Sequence, residues 1–570
     1  MSQQEISKGD IVIGRVHGVK KKFWVKVSGA DLKIPIKRVA GDSEQLKNWR
    51  ANKTKVAVKI LSAKNFYGEI IGTVQSADIA DVIKSHGVVE EFPANVRAAA
   101  ALIGENPSAA EISKRIDRRT LPIVTIDGED AKDLDDGVFA EKITTGYFLG
   151  VYIADVSYYV RANTPLDREA FERGTSIYPV DRVVPMLPKE LSNGICSLNA
   201  GVERLAMACE MFLDFSGKVT SYKIFPTVIK VFRRLNYTQV NNFFNGAEDL
   251  KSCAKNLNAL LEVYKLRKKI REERGAIDFE IPEIKIILDE SGAPIELTKK
   301  INGLAENLIE ECMLAANETV AEHTIKNKIP SLYRVHELPS AEKVNTFNQL
   351  LVHFNLHISK NEPRAFQKVL AQVKGTPAEK VISSFALRTM QQARYSPENL
   401  GHFGLAAEFY THFTSPIRRY PDLIVHRMLR AKPDKIAKLA RRLEEISIQS
   451  SERERRAVEI EREAVDLKSA EYMQRFIGKN FDAVICSVAS FGFFVELDSG
   501  VDGLVRAASL KDDYYGYVDS EFALIGVRTG KTFRLGDKVR VRLTEANVEL
   551  RRLTFELVNG VVAEDLIAEV

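Results

Sequence analysis

What the chain lacks narrows its function first. Its five cysteines (Cys196, Cys209, Cys253, Cys312 and Cys486) are scattered with no CxxC pair. That excludes a disulfide framework, a disulfide-linked partner and a thiolate zinc site, and fits a reducing cytoplasm. There are nine histidines, and those at 336, 353, 402, 412 and 426 show no metal-ligand spacing. No apolar run approaches the roughly 20 residues of a membrane span, so no membrane association is expected. The opening MSQQEISKGD has neither the basic nor the apolar segment of a secretory signal. Glycine-rich phosphate loops, GxGxxG, and Ser–His–Asp or Cys–His arrangements are missing too. Most familiar catalytic designs are thereby removed.

What is present is a chain of 570 residues, too long for one core, so two to four domains are expected. Hydrophobic content of 45% against 28% charged is ordinary for a folded chain. Charge is unevenly distributed. Residues 1–75 carry 15 Lys+Arg against 6 Asp+Glu while the whole chain is only +5, so a basic front module precedes a slightly acidic remainder. Such a module suits a polyanion.

That front module alternates short strand-like runs (DIVIGRV, KKFWVKV, LKIPI, KVAVKIL, GEIIGTV) with turns, the pattern of a small oligonucleotide-binding barrel. Phe23, Trp24 and Phe66 among Lys20, Lys21, Lys22 and Lys26 offer stacking faces beside charge, although some must fill the barrel. The last 80 or so residues repeat the theme. GKNFDAVICSVASFGFFVEL, VDGLVRAASL and GDKVRVRLTEANVELRRLTFEL resemble an S1 domain, through Gly478, Phe491, Gly492, Phe493, Phe494, Gly503, Gly536 and Asp537. Arg534, Lys538, Arg540 and Arg542 are there to meet phosphates. Between the barrels, strands and helices mix, and KIAKLARRLEEISIQSSERERRAVEIEREAVDLKSAEYMQRFI reads as one or two long amphipathic helices ending at Gly478, most of the charge forming a solvated face.

The chemistry concentrates in TIDGEDAKDLDDGVF, residues 125–139. Asp127, Asp133, Asp135 and Asp136, with Glu129 and Asp130 at the edge, follow the apolar run LPIVTI and precede further strand-like runs. Like charges pinned to the end of a sheet repel unless a cation lies among them. An EF-hand starting at Asp133 fails, because Gly137 and Val138 stand where a carboxylate or Asn and then a glycine are needed. Carboxylates with open positions for phosphate oxygens suit Mg²⁺, and two such ions can activate water and stabilise a leaving oxygen.

TIDGEDAKDLDDGVF, RGTSIYPVDRVVPMLPKELSNGICSLN, LIEECMLAAN and FGLAAEFYTHFTSPIRRYPDLIVHR together resemble the ribonuclease II/R superfamily, over about residues 1–557 and in wording closer to ribonuclease R. The resemblance implies a multidomain α+β chain, with a cold-shock-like barrel over 1–78, an RNB-type catalytic domain over 79–476 and an S1 domain over 477–560. It implies a cytoplasmic, monomeric enzyme that degrades single-stranded RNA processively from the 3′ end to nucleoside 5′-monophosphates. Mg²⁺ would be the cofactor, with Mn²⁺ able to replace it. Asp127, Asp133, Asp135 and Asp136 would be the metal-binding and catalytic quartet, Tyr178 the ring under the terminal base, and Arg418 the scissile phosphate's partner, with Arg419 as the alternative. Glu310 or Glu311 would meet the terminal ribose, Phe279 would complete the clamp, and Glu461, with Glu459 as the alternative, would join from the long helix. One barrel precedes the catalytic block where the family usually has two, and neither a helical extension nor a lysine-rich tail is present. RNA access is therefore expected to be wider or differently controlled.

Overall fold

The computed structural model describes residues 11–19, 22–27, 33–39, 46–47, 50, 55–62, 67–73, 78–279, 283–376 and 378–562. Phe66, Lys20 and Lys21 lie outside them. Strands Ile11–Val19, Lys22–Val27, Lys33–Val39, Lys55–Ser62 and Tyr67–Thr73 close into a barrel, the fifth inserted between the third and fourth. Alternate residues (Val16, Val25, Ile34, Val56, Val58, Ile60, Ile70) fill it, as period-two burial requires. Phe23 leans partly on that core, while Trp24 is half-buried beside the His17 ring.

The second barrel joins Asn480–Ala489, Gly492–Leu497, Asp502–Arg506, Arg552–Val562 and Lys538–Asn547, with a three-stranded sheet (Tyr515–Val518, Ala523–Gly526, Thr532–Arg534) inserted. Gly492, at φ +150°, turns the first hairpin where a Cβ would lie 2.2 Å from the Val505 carbonyl. The aromatic run beside it divides. Phe493 is buried against Phe533, whereas Phe491 is exposed. The expected phosphate-facing arginines are partly committed, Arg534 to Glu521 at 3.2 Å and Arg542 to Asn480 at 3.1 Å.

The central body is built on a seven-stranded sheet ordered Arg233–Asn236, Val124–Asp127, Asp136–Ile143, Gly146–Ala154, Glu203–Leu213, Val219–Lys230 and Ile116–Asp117. Helices Ala254–Arg274 and Leu304–Lys326 cover one face through Leu257, Leu260, Leu308 and Cys312. Met186, Leu187, Ile195, Leu423 and Ile424 cover the other. A sheet buried on both faces needs near-continuous apolar strands, which is how GYFLGVYIA and ERLAMACEMFL read.

The long C-terminal helix Leu443–Met473 is amphipathic, with Glu444, Glu445, Glu452, Arg455, Glu459 and Arg462 exposed on its charged face. Ile446, Ala457, Ile460 and Ala464 are buried along it, and a buried Lys468–Glu471 pair closes at 2.8 Å. Lys468 also donates to the Gly292 carbonyl at 2.8 Å, fastening the hairpin of strands Glu283–Leu288 and Pro294–Lys300 to the helix. Among the described residues no helix is long and apolar enough to cross a membrane, and all five cysteines are free.

Candidate active site

The acidic cluster follows from strand order. Val124–Asp127 runs up to Asp127, and its antiparallel neighbour Asp136–Ile143 starts at Asp136, so one sheet end carries both carboxylates. The loop between them supplies Asp133 and Asp135. Three partners far along the chain order that loop. Arg234 donates to the Glu129 and Ala131 carbonyls at 2.8 and 2.7 Å. Ser197 accepts from the Leu134 amide at 3.1 Å and donates to the Lys132 carbonyl at 2.8 Å, and the Leu198 amide donates to the Leu134 carbonyl at 2.9 Å. The NGICSLN stretch therefore acts as a buttress for the carboxylates.

Asp135 is buried at 4% exposure. Its Oδ1 accepts from the Ile417 amide at 2.8 Å, while Oδ2 has no hydrogen-bond partner and lies 3.6 Å from Nε of Arg418. Burial pushes its carboxyl well above the usual range, against the opposing pull of Arg418. Asp136 is pushed up to about 7 by burial and then by Asp127. Burial raises Asp127 as well, although its Oδ1 accepts from the Gly128 amide at 2.7 Å. Three neighbouring acids thus resist holding their charge without a cation.

Arg418 is half-exposed and its Nη2 donates to Ser415 at 2.9 Å. Its carbonyl accepts from the Ser176 amide and the Thr175 hydroxyl, both at 2.9 Å. The strand carrying Tyr178 is thereby tied to the loop carrying Arg418. Tyr178 is 39% exposed, its phenol donating to Oδ2 of Asp133 at 3.0 Å and its amide to Oε1 of Glu461 at 2.7 Å. Burial and the adjoining carboxylates raise the phenol's pKa. Glu461, rather than the exposed Glu459, reaches the site.

The other expected residues separate. Arg419 is half-buried on Asp422 at 2.8 Å, and Asp422 in turn holds the Ser415 amide at 2.8 Å, so Arg419 braces the loop from behind. Glu311 is buried against Arg271 at 2.6 Å, and Arg271 also pairs with Asp278; Glu310, one residue earlier, is exposed. Phe279 leans on the helical cluster around Phe347 and Phe366. Sequence reading missed Tyr237, which starts the helix Tyr237–Phe244 beside the acids. Its phenol is raised by burial and by Asp127 and Asp136. The signal was available in RRLNY, whose strand pairs in register with VTID, Asn236 opposite Asp127.

Among the described residues no three His, Cys, Asp or Glu side chains already converge at metal-holding distance. The donor set nonetheless fits a hard divalent cation. It is all carboxylate, it is clustered at one sheet end, and one buried oxygen of Asp135 has no hydrogen-bond donor on it.

A double-covered sheet ending in four aspartates, with a β-barrel on either side in sequence, defines a multidomain α+β protein of nucleic-acid-binding architecture. Residues 115–434 match the RNB domain and residues 474–557 the S1 RNA binding domain; the chain belongs to the RNB family. It is 45% identical to ribonuclease R 1 of Lactococcus lactis, over 86% of this chain and 62% of that protein. To ribonuclease R of Thermotoga maritima it is 43% identical, over 85% of this chain and 71% of that one. The fold is similar to the apo form of Mycoplasma genitalium RNase R (TM-score 0.82, 30% identity, 96% and 90% coverage), a protein also solved with ribose methylated single-stranded RNA. The chain spans less than two thirds of the Lactococcus relative's length.

Proposed function

We propose that the chain is a divalent-metal-dependent exoribonuclease that shortens single-stranded RNA from its 3′ end and releases nucleoside 5′-monophosphates. The observation that carries this is the buried, unpartnered Oδ2 of Asp135 beside the Arg418 guanidinium, within a carboxylate cluster. The names of the relatives and the RNA complex of the Mycoplasma protein support it. A non-catalytic RNA-binding role would leave the raised, mutually repelling acids without a purpose.

Asp127, Asp133, Asp135 and Asp136 would hold Mg²⁺, or Mn²⁺ in its place. Two ions there would supply water activation at neutral pH and charge stabilisation on the phosphodiester. The chain's own residues do the rest. Arg418, half-exposed and steadied by Ser415, presents a planar fork to the non-bridging phosphate oxygens. The Tyr178 ring, fixed at its hydroxyl by Asp133 and at its amide by Glu461, offers a stacking face at constant distance from the carboxylates. Phe279, which leans on the helical cluster around Phe347, would complete the proposed clamp from there. Of the paired glutamates, exposed Glu310 is the better partner for the terminal ribose, and Glu311 fixes Arg271 beneath it. The barrels keep the remaining strand engaged between cuts, which makes the reaction processive. The same reading has the protein acting as a monomer in the cytoplasm.

The test uses 5′-labelled single-stranded RNA incubated with the full chain in Mg²⁺, Mn²⁺ or EDTA. The proposal expects products shortened from the 3′ end and released 5′-monophosphates with either metal, and none in EDTA. Internal cleavage, or equal hydrolysis in EDTA, would overturn it.

A further inference from the structure

A second feature lies beside the outlying glutamates of the proposed site. A cleft of about 1020 Å³ opens between the helix Ala254–Arg274, the helix Pro363–Val373, the hairpin Glu283–Lys300 and the second barrel at Glu496 and Gly500. It borders the proposed active site at two points. Asp278 lines the cleft and pairs with Arg271, which holds Glu311 at 2.6 Å. On the other side, Ile284 of the cleft wall follows Glu283, which lies close enough to Glu461 to raise its carboxyl.

The lining is not that of a channel for a long polyanion. Five lysines alternate with five carboxylates around it, so a continuous phosphate backbone would meet repulsion as often as attraction. Lys380 is neutralised by Glu496 at 2.7 Å. Among the described residues Lys299 and Lys368 make no ion pair, and they approach from the hairpin and the helix respectively. Ile284 from the hairpin and Leu370 and Ala371 from the helix supply apolar surface, with Gln367, Ser383 and Ser384 as hydrogen-bonding groups. Two ammonium groups without an ion pair, apolar surface from two elements and a few polar groups, at the upper end of small-molecule site volumes, match one phosphate monoester joined to one base.

A processive exonuclease also needs such a place. The strand it retains fills the way in, so each released nucleotide must leave by another route. We propose that this cleft receives the nucleoside 5′-monophosphate product, the phosphate on Lys299 and Lys368 and the base on Ile284, Leu370 and Ala371. This rests on the exoribonuclease reading above.

Two arms test it. In the first, adenosine 5′-monophosphate is titrated calorimetrically into the full chain in EDTA, which keeps the phosphate from a metal at the aspartates. Binding to the wild type, weakened at least tenfold in the K299E/K368E variant, is expected. Undetectable binding or equal affinities would overturn the proposal. In the second, Ala371→Trp, on an exposed position of the helix, narrows the cleft. Steady-state turnover on a 20-mer should fall about fivefold or more while the single-turnover rate with enzyme in excess stays within about twofold. An equal fall in both rates would assign the cleft to the RNA path and overturn the proposal. A wild type that does not hydrolyse RNA would refute the enzymatic reading instead, and the titration would still decide the cleft.

Discussion

The Tyr178 phenol donates to Oδ2 of Asp133 at 3.0 Å, across 45 residues of sequence. One contact thus sets the height of the proposed stacking ring above the carboxylates. Removing the hydroxyl and removing the ring should have different effects. Tyr178→Phe keeps the stacking face and should lower the rate several-fold with product size unchanged. Tyr178→Ala forfeits stacking of roughly 1–3 kcal/mol per base, so the 3′ end should slip and the final undigested fragment should change length. A sequencing-gel time course on one labelled RNA separates the two. An identical end fragment in Tyr178→Ala would show the ring to be packing only.

The raised acids make a pH prediction. Unfolded aspartates titrate near 4, whereas Asp136 in the fold is held at about 7, with Asp127 and Asp135 also raised. The folded form therefore binds these protons more tightly. That stabilising contribution is complete below about pH 4 and is lost as pH rises through about 7. In EDTA the wild type should lose melting temperature between pH 5 and pH 8 more than Asp136→Asn does. Mg²⁺ should restore stability at pH 8, because only the ionised carboxylates bind it. Hydrolysis should accordingly rise with pH through the same window. Parallel melting curves for wild type and Asp136→Asn in EDTA would contradict the assignment.

Arg234 grips the acidic loop by two backbone carbonyls. Arg234→Ala removes both hydrogen bonds, each charge-assisted and worth about 1.5–3 kcal/mol where well formed. The fold should survive, since the loop lies beyond the end of the sheet's strands, but half-maximal activity should need at least about tenfold more Mg²⁺. Arg234→Lys, with one ammonium for two acceptors, should recover only part. A Mg²⁺ titration of hydrolysis decides this, and an unchanged midpoint in Arg234→Ala would rule it out.

The buried Lys468–Glu471 pair sits where the long helix meets the hairpin. Truncating one partner strands a buried charge and costs about 3–5 kcal/mol, whereas replacing both with apolar residues of similar size costs far less. Denaturant unfolding should rank Glu471→Ala well below Lys468→Met/Glu471→Leu. The reverse order would mean the pair is solvated.

The sequence disclosed what depends on neighbours along the chain. Four aspartates behind an apolar run are legible because repulsion makes the arrangement costly, and alternating runs disclosed both barrels because burial there has period two. What it withheld depends on partners that only the fold selects, some a single helical turn away and others nearly 300 residues distant. Arg418 and Arg419 are adjacent in sequence, and only the Asp422 contact turns one inward. Which of Glu310 and Glu311 packs inward on Arg271, and which of Glu459 and Glu461 meets the Tyr178 amide, depends on helix register. Arg234, Ser197 and Tyr237 looked like ordinary strand, loop and helix residues, since nothing local marks a side chain that braces a loop or adjoins an acid 60 to 110 positions away.

The most direct measurement is single-turnover cleavage of a 3′-terminal nucleotide by Asp135→Asn, in Mg²⁺, beside RNA affinity measured in EDTA. The substitution keeps the Oδ1 acceptor for the Ile417 amide and removes the charge on the unpartnered side. Cleavage should fall by at least about 100-fold, with RNA affinity equal to or tighter than wild type and the melting temperature in EDTA no lower. An Asp135→Asn protein that retains most of the wild-type cleavage rate would contradict a catalytic carboxylate centre at this sheet end.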